Sequence, residues 1–375
     1  MSNNPFVVGK PVPPEFFVGR KYEIAVAFAQ IFQRGHLAIW GGPGIGRSSI
    51  LELLAAPTVW EKHGLEPSEA VIALLSCENI DPFTPSSFWR EVLSVMKDNL
   101  ESESALQTEI EKLLEQGQTT KDSLNKILQK LGKKHKFLVL LVNDFDVALQ
   151  ENEEYTEVNM QQFLSECRSL AVASPGGKYL SMVVTSLKRL SELGPKLNPN
   201  ASPWYNHYLF QQLKPLNDKE IEQLLGVMPM TLALREAIRE IAGRDPRLLQ
   251  IAGFLLYAQL ETDREANKVP NIQEFIKNFE TETRHIFQTT WNRCSEIEQT
   301  LLMLLALFDL KGRLHKKKNF DLGNIDLIFT QRGRELTNLE EQGVIIRKEE
   351  EEKTVYSFAS LMMQRWVIQE VWNTN

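Results

Sequence analysis

The chain has 375 residues, enough for two or three domains, and its 43% hydrophobic and 24% charged residues exclude wholesale disorder. A formal charge of −7 weighs against nucleic-acid binding by the surface as a whole, though not against a local basic patch. The longest apolar run, 301–308, falls far short of the ~20 residues of a membrane-spanning helix. The start of the chain has no basic segment followed by an apolar one, so it does not read as a signal peptide. Cys77, Cys167 and Cys294 are too scattered for a disulfide framework or a CxxC metal pair, and the six histidines have no metal-ligand spacing. The expectation is a soluble cytoplasmic protein without membrane contact.

Pro5, Gly9, Pro11, Pro13 and Pro14 predict an extended arm at the start. Residues 21–34 place Ile24, Ala25, Ala27, Phe28, Ile31 and Phe32 at helical spacing. A short apolar strand, His36–Trp40, runs into a glycine-rich loop and a helix from Ser48. Further strands are expected at Ala70–Ser76, 137–142 and 179–185. Between them lie helical stretches at 88–129, broken near 117–120, and at 160–171. Apolar strands alternating with helices predict an α/β fold with a parallel sheet buried on both faces. From about residue 213 the pattern becomes helical, with helices at 218–227, 231–242 and 246–260; Asn217 and Glu220 form a plausible capping pair. A polar stretch, 261–271, precedes helices at 272–292 and 295–308. The tail reads as 325–329, a helix at 331–342, and two short strands at 344–347 and 354–358. Helices followed by a hairpin suggest a winged helix.

Chemistry concentrates at two places. Gly41, Gly42, Pro43, Gly44, Ile45, Gly46, Arg47 and Ser48 fit G-x-x-x-x-G-K-[ST] except that arginine replaces lysine. Glycines let backbone N–H groups turn inward around phosphates, the following helix (Ser48, Ser49) presents its positive end, and a hydroxyl can reach Mg²⁺. Arg47 keeps the charge, but its planar fork donates in different directions from an ammonium. The second place is the end of the 137–142 strand, where Asn143, Asp144 and Asp146 follow. Phosphate-hydrolysing proteins of this build need one acid to hold Mg²⁺ and a second to activate water. Two registers are open. In one, Asn143 stands at the metal and Asp144 at the water; in the other, Asp144 is the metal-side acid and Phe145 falls where the base belongs. Both registers predict nucleotide binding with impaired hydrolysis.

In order along the chain, Phe17, Val18, Gly19, Arg20 and Glu23, the phosphate loop, the acidic strand end, and Thr185 with Ser186 resemble the STAND branch of AAA+-like ATPases. Ser202, Pro203 and Asn206, then Leu213, Pro215, Leu216 and Glu220, and the stretch from Ala242 to Gln250 continue the resemblance. It implies ATP or ADP with Mg²⁺ as cofactors, Val12 and Pro13 near the adenine, and Arg20 tied to the nucleotide pocket. It further implies Thr185 as a polar γ-phosphate sensor. Pro246 and Arg247 match a setting in which origin-recognition and helicase-loader relatives keep an arginine on that phosphate. Arg244 departs from a glycine of the family's pattern. The implied parts are a P-loop nucleotide-binding domain at 1–212, a helical lid at 213–285 and a winged-helix domain at 286–375. Lys311, Arg313, Lys316, Lys317, Lys318, Arg332 and Arg334 form a basic cluster, but four glutamates between Lys348 and Lys353 would repel DNA at the hairpin tip. The expected function is a regulatory switch working through a protein partner or a homo-oligomer. The alternatives are an oligomeric ATPase acting on DNA, with Arg168 or Arg189 as candidate donated arginines, and a nucleotide-free scaffold.

Overall fold

The computed structural model describes residues 4–100, 103–196, 202–265, 271–310, 325–350 and 353–373. Five strands form one sheet: β1 (His36–Trp40), β2 (Ala70–Ser76), β3 (Phe137–Asn143), β4 (Leu180–Ser186) and β5 (Tyr208–Gln212). All neighbours are parallel, in the order β2-β3-β4-β1-β5. β1 and β4 are buried along their whole length, and β3 up to its last residue, as expected of largely apolar strands in a parallel sheet. Because β4 lies between β1 and β3, its C-terminal end separates the loop after β1 from the acids after β3.

Helices α1 (Lys21–Gln33), α2 (Arg47–Ala55), α3 (Pro57–Lys62), α4 (Pro85–Asp98), α5 (Ser104–Glu115), α6 (Lys121–Lys133) and α7 (Glu157–Arg168) provide the crossovers. Phe88 and Trp89 of α4 meet Phe163 of α7 with ring centroids 5.0 and 5.8 Å apart, anchoring both helices in the core under the sheet. The chain divides by contact into two units. One comprises Pro11–Gly41 and Gly46–Leu213; the other comprises Met1–Lys10, Gly42–Ile45 and Lys214–Asn375.

Among its described residues the second unit is helical apart from one hairpin. It contains α8 (Asp218–Leu225), α9 (Leu232–Ala242), α10 (Pro246–Glu265), α11 (Ile272–Arg293), α12 (Glu296–Leu310), α13 (Ile325–Gln331) and α14 (Gly333–Glu341). The antiparallel strands β6 (Ile345–Glu350) and β7 (Lys353–Phe358) and the closing helix α15 (Leu361–Asn373) complete it. The capping box between Asn217 and Glu220 is present, with both reciprocal bonds. Ser360 Oγ donates to Ile241 O at 2.6 Å, and a Cβ at Gly243 would lie 1.8 Å from Ala359 O. That position therefore requires glycine, which is also at φ +62. Trp291 and Trp366 pack at a tilt, with ring centroids 5.7 Å apart and planes 58° from parallel. The arm belongs to this unit up to Lys10: Phe6 is buried against Gly253 of α10, and Val7 N–H donates to Gln250 Oε1 at 2.9 Å.

The structure differs from the sequence reading in four places. β5 was not expected; it is an edge strand, buried only at Tyr208. The single break foreseen in 88–129 is joined by a second after Asp98, which separates α4 from α5. α3 is an additional short helix started by Pro57. The helix expected to stop at residue 260 continues to Glu265, because polar side chains do not by themselves interrupt the backbone bonds of a helix. Lys311, Arg313 and 316–318 of the basic cluster, and Glu351 and Glu352 of the tip, lie outside the described residues.

Candidate functional site

The helix α2 begins at Arg47, straight after Gly46, which sits at φ +102 and makes no side-chain cap. Glycine has no side chain to cap the helix, and the positive end of the helix dipole faces the turn. Gly41 N–H donates to Ser186 O at 3.2 Å, stitching the loop to the end of β4. Ser49, buried, accepts from Val12 N–H at 2.9 Å, so the arm's Val12 lies against the first turn of α2, with Pro13 beside it. Arg20 is also buried, at φ +57 at the start of α1, and pairs with Glu23 at 3.6 Å.

The strand ends converge on Asn143. Its Nδ2 donates to Ser48 Oγ at 3.1 Å and to Asp144 Oδ2 at 2.6 Å, while its Oδ1 accepts from Thr185 Oγ1 at 2.8 Å. This network fixes the amide's orientation, since a flipped amide would press its oxygen against the Asp144 carboxylate. Thr185 is fully buried and also accepts from Asp144 N–H at 3.2 Å. Asp144 takes φ +52, a left-handed turn that Asp tolerates and that redirects the chain at the strand end. Ser76 Oγ donates to Asp144 Oδ2 at 3.1 Å.

Arg47 turns toward the acids. Its two terminal nitrogens lie 3.8 Å from Asp144 Oδ1 and 3.7 Å from Asp146 Oδ2. Asp146 is buried and accepts Leu187 N–H through both oxygens. Burial pushes its carboxyl above the usual range, and the Leu187 N–H and the Arg47 charge pull it back. Sequence reading saw the acid at position 146 but assigned it no role, because the turn at Asp144 that aims it toward Arg47 leaves no mark in the residue pattern.

In the other unit, α10 opens at Pro246, capped by Asp245, whose Oδ1 accepts from Arg247 N–H at 2.8 Å and Leu248 N–H at 3.1 Å. The Arg247 side chain lies against Gly44, where a Cβ would come within 2.6 Å of Nε. Arg247 Nε is buried with no hydrogen-bond partner among the described residues. Gly44 is at φ +79, so both the turn and the neighbour exclude a side chain there. Pro43, Asp245 and Arg247 line one small cavity of this unit with Thr290 and Arg293.

A phosphate fits the start of α2, where Gly46 is in a glycine-type conformation, offers no side-chain cap and lies at the positive end of the helix dipole. A Mg²⁺ ion does not fit the donors as they stand. The amide N–H, not an oxygen, faces Ser48, and the Asp144 charge is shared with Arg47. No group of three or more His, Cys, Asp or Glu side chains suited to a metal occurs among the described residues. Of the other candidate arginines, Arg168 donates to Ser202 O and Oγ, and Arg189 lies over the Phe210 ring at 4.7 Å. Arg332 is exposed and pairs with Glu335 at 3.4 Å. The three cysteines are free and buried, and no described helix is long and apolar enough to cross a membrane.

No protein-family model matches the chain, and no curated protein matches its sequence. Solved structures do match it. A Walker-type ATPase of Pyrococcus abyssi is 14% identical, with 97% of this chain and 99% of that one covered at a TM-score of 0.64. The ORC2 protein of Aeropyrum pernix, in its ADPNP-ADP complexes, is 14% identical over 99% of this chain and 98% of its own, at a TM-score of 0.59. The ADP form of that protein gives 0.51 at 15% identity, with 98% of this chain and 97% of its own covered. At such identities the likeness is one of fold alone: the chain shares with these proteins an α/β architecture, here built on a five-stranded parallel sheet with helices.

Proposed function

We propose that the chain binds ATP or ADP at residues 41–49 and works as a nucleotide-dependent switch of the STAND type, with slow or absent hydrolysis. The observation that carries this reading is the amide beside Ser48. The loop and helix start keep what a phosphate needs, while Asn143 offers N–H where a cation needs charged oxygen. Binding and turnover make different demands. Phosphate binding uses backbone N–H groups, the α2 dipole and a cation, all of which remain. Turnover needs a charged metal site and a free carboxylate, and here Asp144 is tied to Arg47, Ser76 and Asn143.

In this reading Val12 and Pro13 lie near the adenine and Arg20 supports the pocket. ATP and ADP are told apart at Ser48, Thr185 and Arg247, and the difference shifts a conformational equilibrium. The working parts are a nucleotide domain at 1–212, a helical lid at 213–285 and a winged helix at 286–375. Output passes to a protein partner or a second copy of the chain, in the cytoplasm. The test combines ADP and ATP binding, limited proteolysis around residues 213–216, and Mg-ATP turnover on one sample. The switch predicts binding, nucleotide-dependent cleavage and negligible turnover. Rapid turnover that Asp144→Asn abolishes would instead indicate the active ATPase, and salt-sensitive retention on DNA would give it a substrate. A melting temperature indifferent to nucleotide would leave the scaffold, since saturation at 100 times Kd adds about 2.7 kcal/mol.

A further inference from the structure

One guanidinium at the loop faces two carboxylates at once. Arg47 is the first residue of α2, so its side chain starts where a bound phosphate would sit. Instead its fork straddles Asp144 at 3.8 Å and Asp146 at 3.7 Å. The Arg47 and Asp146 side chains are only 12% and 11% exposed, so solvent screens the pair weakly. Asp146 is itself held still: Leu187 N–H donates to its two oxygens at 2.9 and 3.0 Å. A lysine, with a single ammonium, lacks the fork that lets one side chain address both acids. The burial that raises the Asp146 carboxyl is opposed in part by the Arg47 charge, so the carboxylate and the guanidinium support each other.

We propose that Asp146 is a positioning residue that holds Arg47 against the acidic strand end, in competition with the phosphates of a nucleoside di- or triphosphate. The inference rests on the reading of residues 41–49 as a nucleotide site and adds a restraint on that site's affinity. When nucleotide enters, Arg47 exchanges carboxylate oxygens for phosphate oxygens. Asp146 keeps its Leu187 bonds, so the end of β4 stays in place. The cation that the loop needs is thereby stored beside it, and affinity is lower than the loop alone would allow.

The test is ADP binding by calorimetry in the presence of EDTA, for the wild type, Asp146→Asn, Arg47→Ala and the double variant. Asp146→Ser, which also keeps an acceptor for Leu187 N–H, serves as a second variant should Asp146→Asn fail to fold. The expected result is a Kd about fivefold lower for Asp146→Asn than for the wild type, the scale of one partly buried ion pair. In the Arg47→Ala background the same substitution should change Kd by less than about twofold, since the two residues act as a pair. An unchanged or weaker affinity overturns the proposal, as does a gain that persists without Arg47 and so reflects only lost negative charge. If the wild type binds ADP but Asp146→Asn shows no gain, the nucleotide site stands and this inference falls. If neither binds at millimolar ADP, both fall.

Discussion

Replacing Asn143 with aspartate would turn the amide network into a contact between two carboxylates. Asn143 Nδ2 lies 2.6 Å from Asp144 Oδ2, and in the variant an oxygen takes that place. Two unit charges about 3 Å apart repel by roughly 5 kcal/mol at an effective dielectric constant of 20. Side-chain rotation, the Ser48 hydroxyl and the Arg47 charge offset more than half of that, leaving a loss of about 2 kcal/mol at neutral pH, or a fall of roughly 4–8 °C in melting temperature. The sign with pH follows from the crowding. The folded-state pKa of the new carboxyl is raised, so the loss is largest above that value and shrinks as the pH falls toward the ordinary aspartate range. The variant also acquires the anionic oxygen that Mg²⁺ lacks beside Ser48. Mg-ATP should therefore raise its melting temperature by more than the wild type's and increase its turnover. Differential scanning fluorimetry at pH 5 and pH 7, with and without Mg-ATP, reads both effects. A variant that melts with the wild type at pH 7 and gains nothing extra from Mg-ATP would refute the account of Asn143.

Thr185→Val should destabilise the protein by about 1–3 kcal/mol, because Asn143 Oδ1 and Asp144 N–H both lose a buried partner; a change under about 0.5 kcal/mol in denaturant titration would contradict this. Burial pushes His36 down to about 4 and burial, with His36 nearby, pushes His207 down to about 3. Both imidazoles stay neutral when folded but take up protons near 6.5 when unfolded, so their contribution is complete above that value and is lost as the pH falls through it. His36 alone should account for about 3 kcal/mol by pH 4, and His36→Gln should flatten the acid limb of the stability curve. Phe6→Ala should release the arm from α10 at a cost of about 3 kcal/mol, read as faster amide exchange at Val7, whose N–H donates to Gln250. Unchanged exchange at Val7 would mean that Phe6 does not hold the arm.

The parts legible in the sequence were those where burial is uniform. β3 is buried on both faces and reads as an apolar run up to Asn143, β1 and β4 are as deeply buried and mostly apolar, and β2, though apolar, alternates between buried and half-buried residues. β5 escaped because an edge strand exposing Leu209 and half-exposing Phe210, Gln211 and Gln212 has the composition of a connector. At the candidate site, the loop declared itself by glycine spacing, and Thr185 and Asn143 by their place at strand ends. The direction of the Asn143 amide and the reach of Asp146 did not. The amide depends on Ser48 of α2 and Thr185 of β4 arriving from distant parts of the chain, and Asp146 on the left-handed turn at Asp144, which no local pattern encodes.

The central claim is that this chain holds nucleotide without turning it over. Its most direct test is the ADP and ATP released when the purified protein is denatured, measured alongside Mg-ATP turnover on the same sample. The account predicts bound nucleotide, or tight uptake of added ADP, together with negligible turnover. Rapid hydrolysis, or an empty protein whose melting ignores both nucleotides, would contradict it.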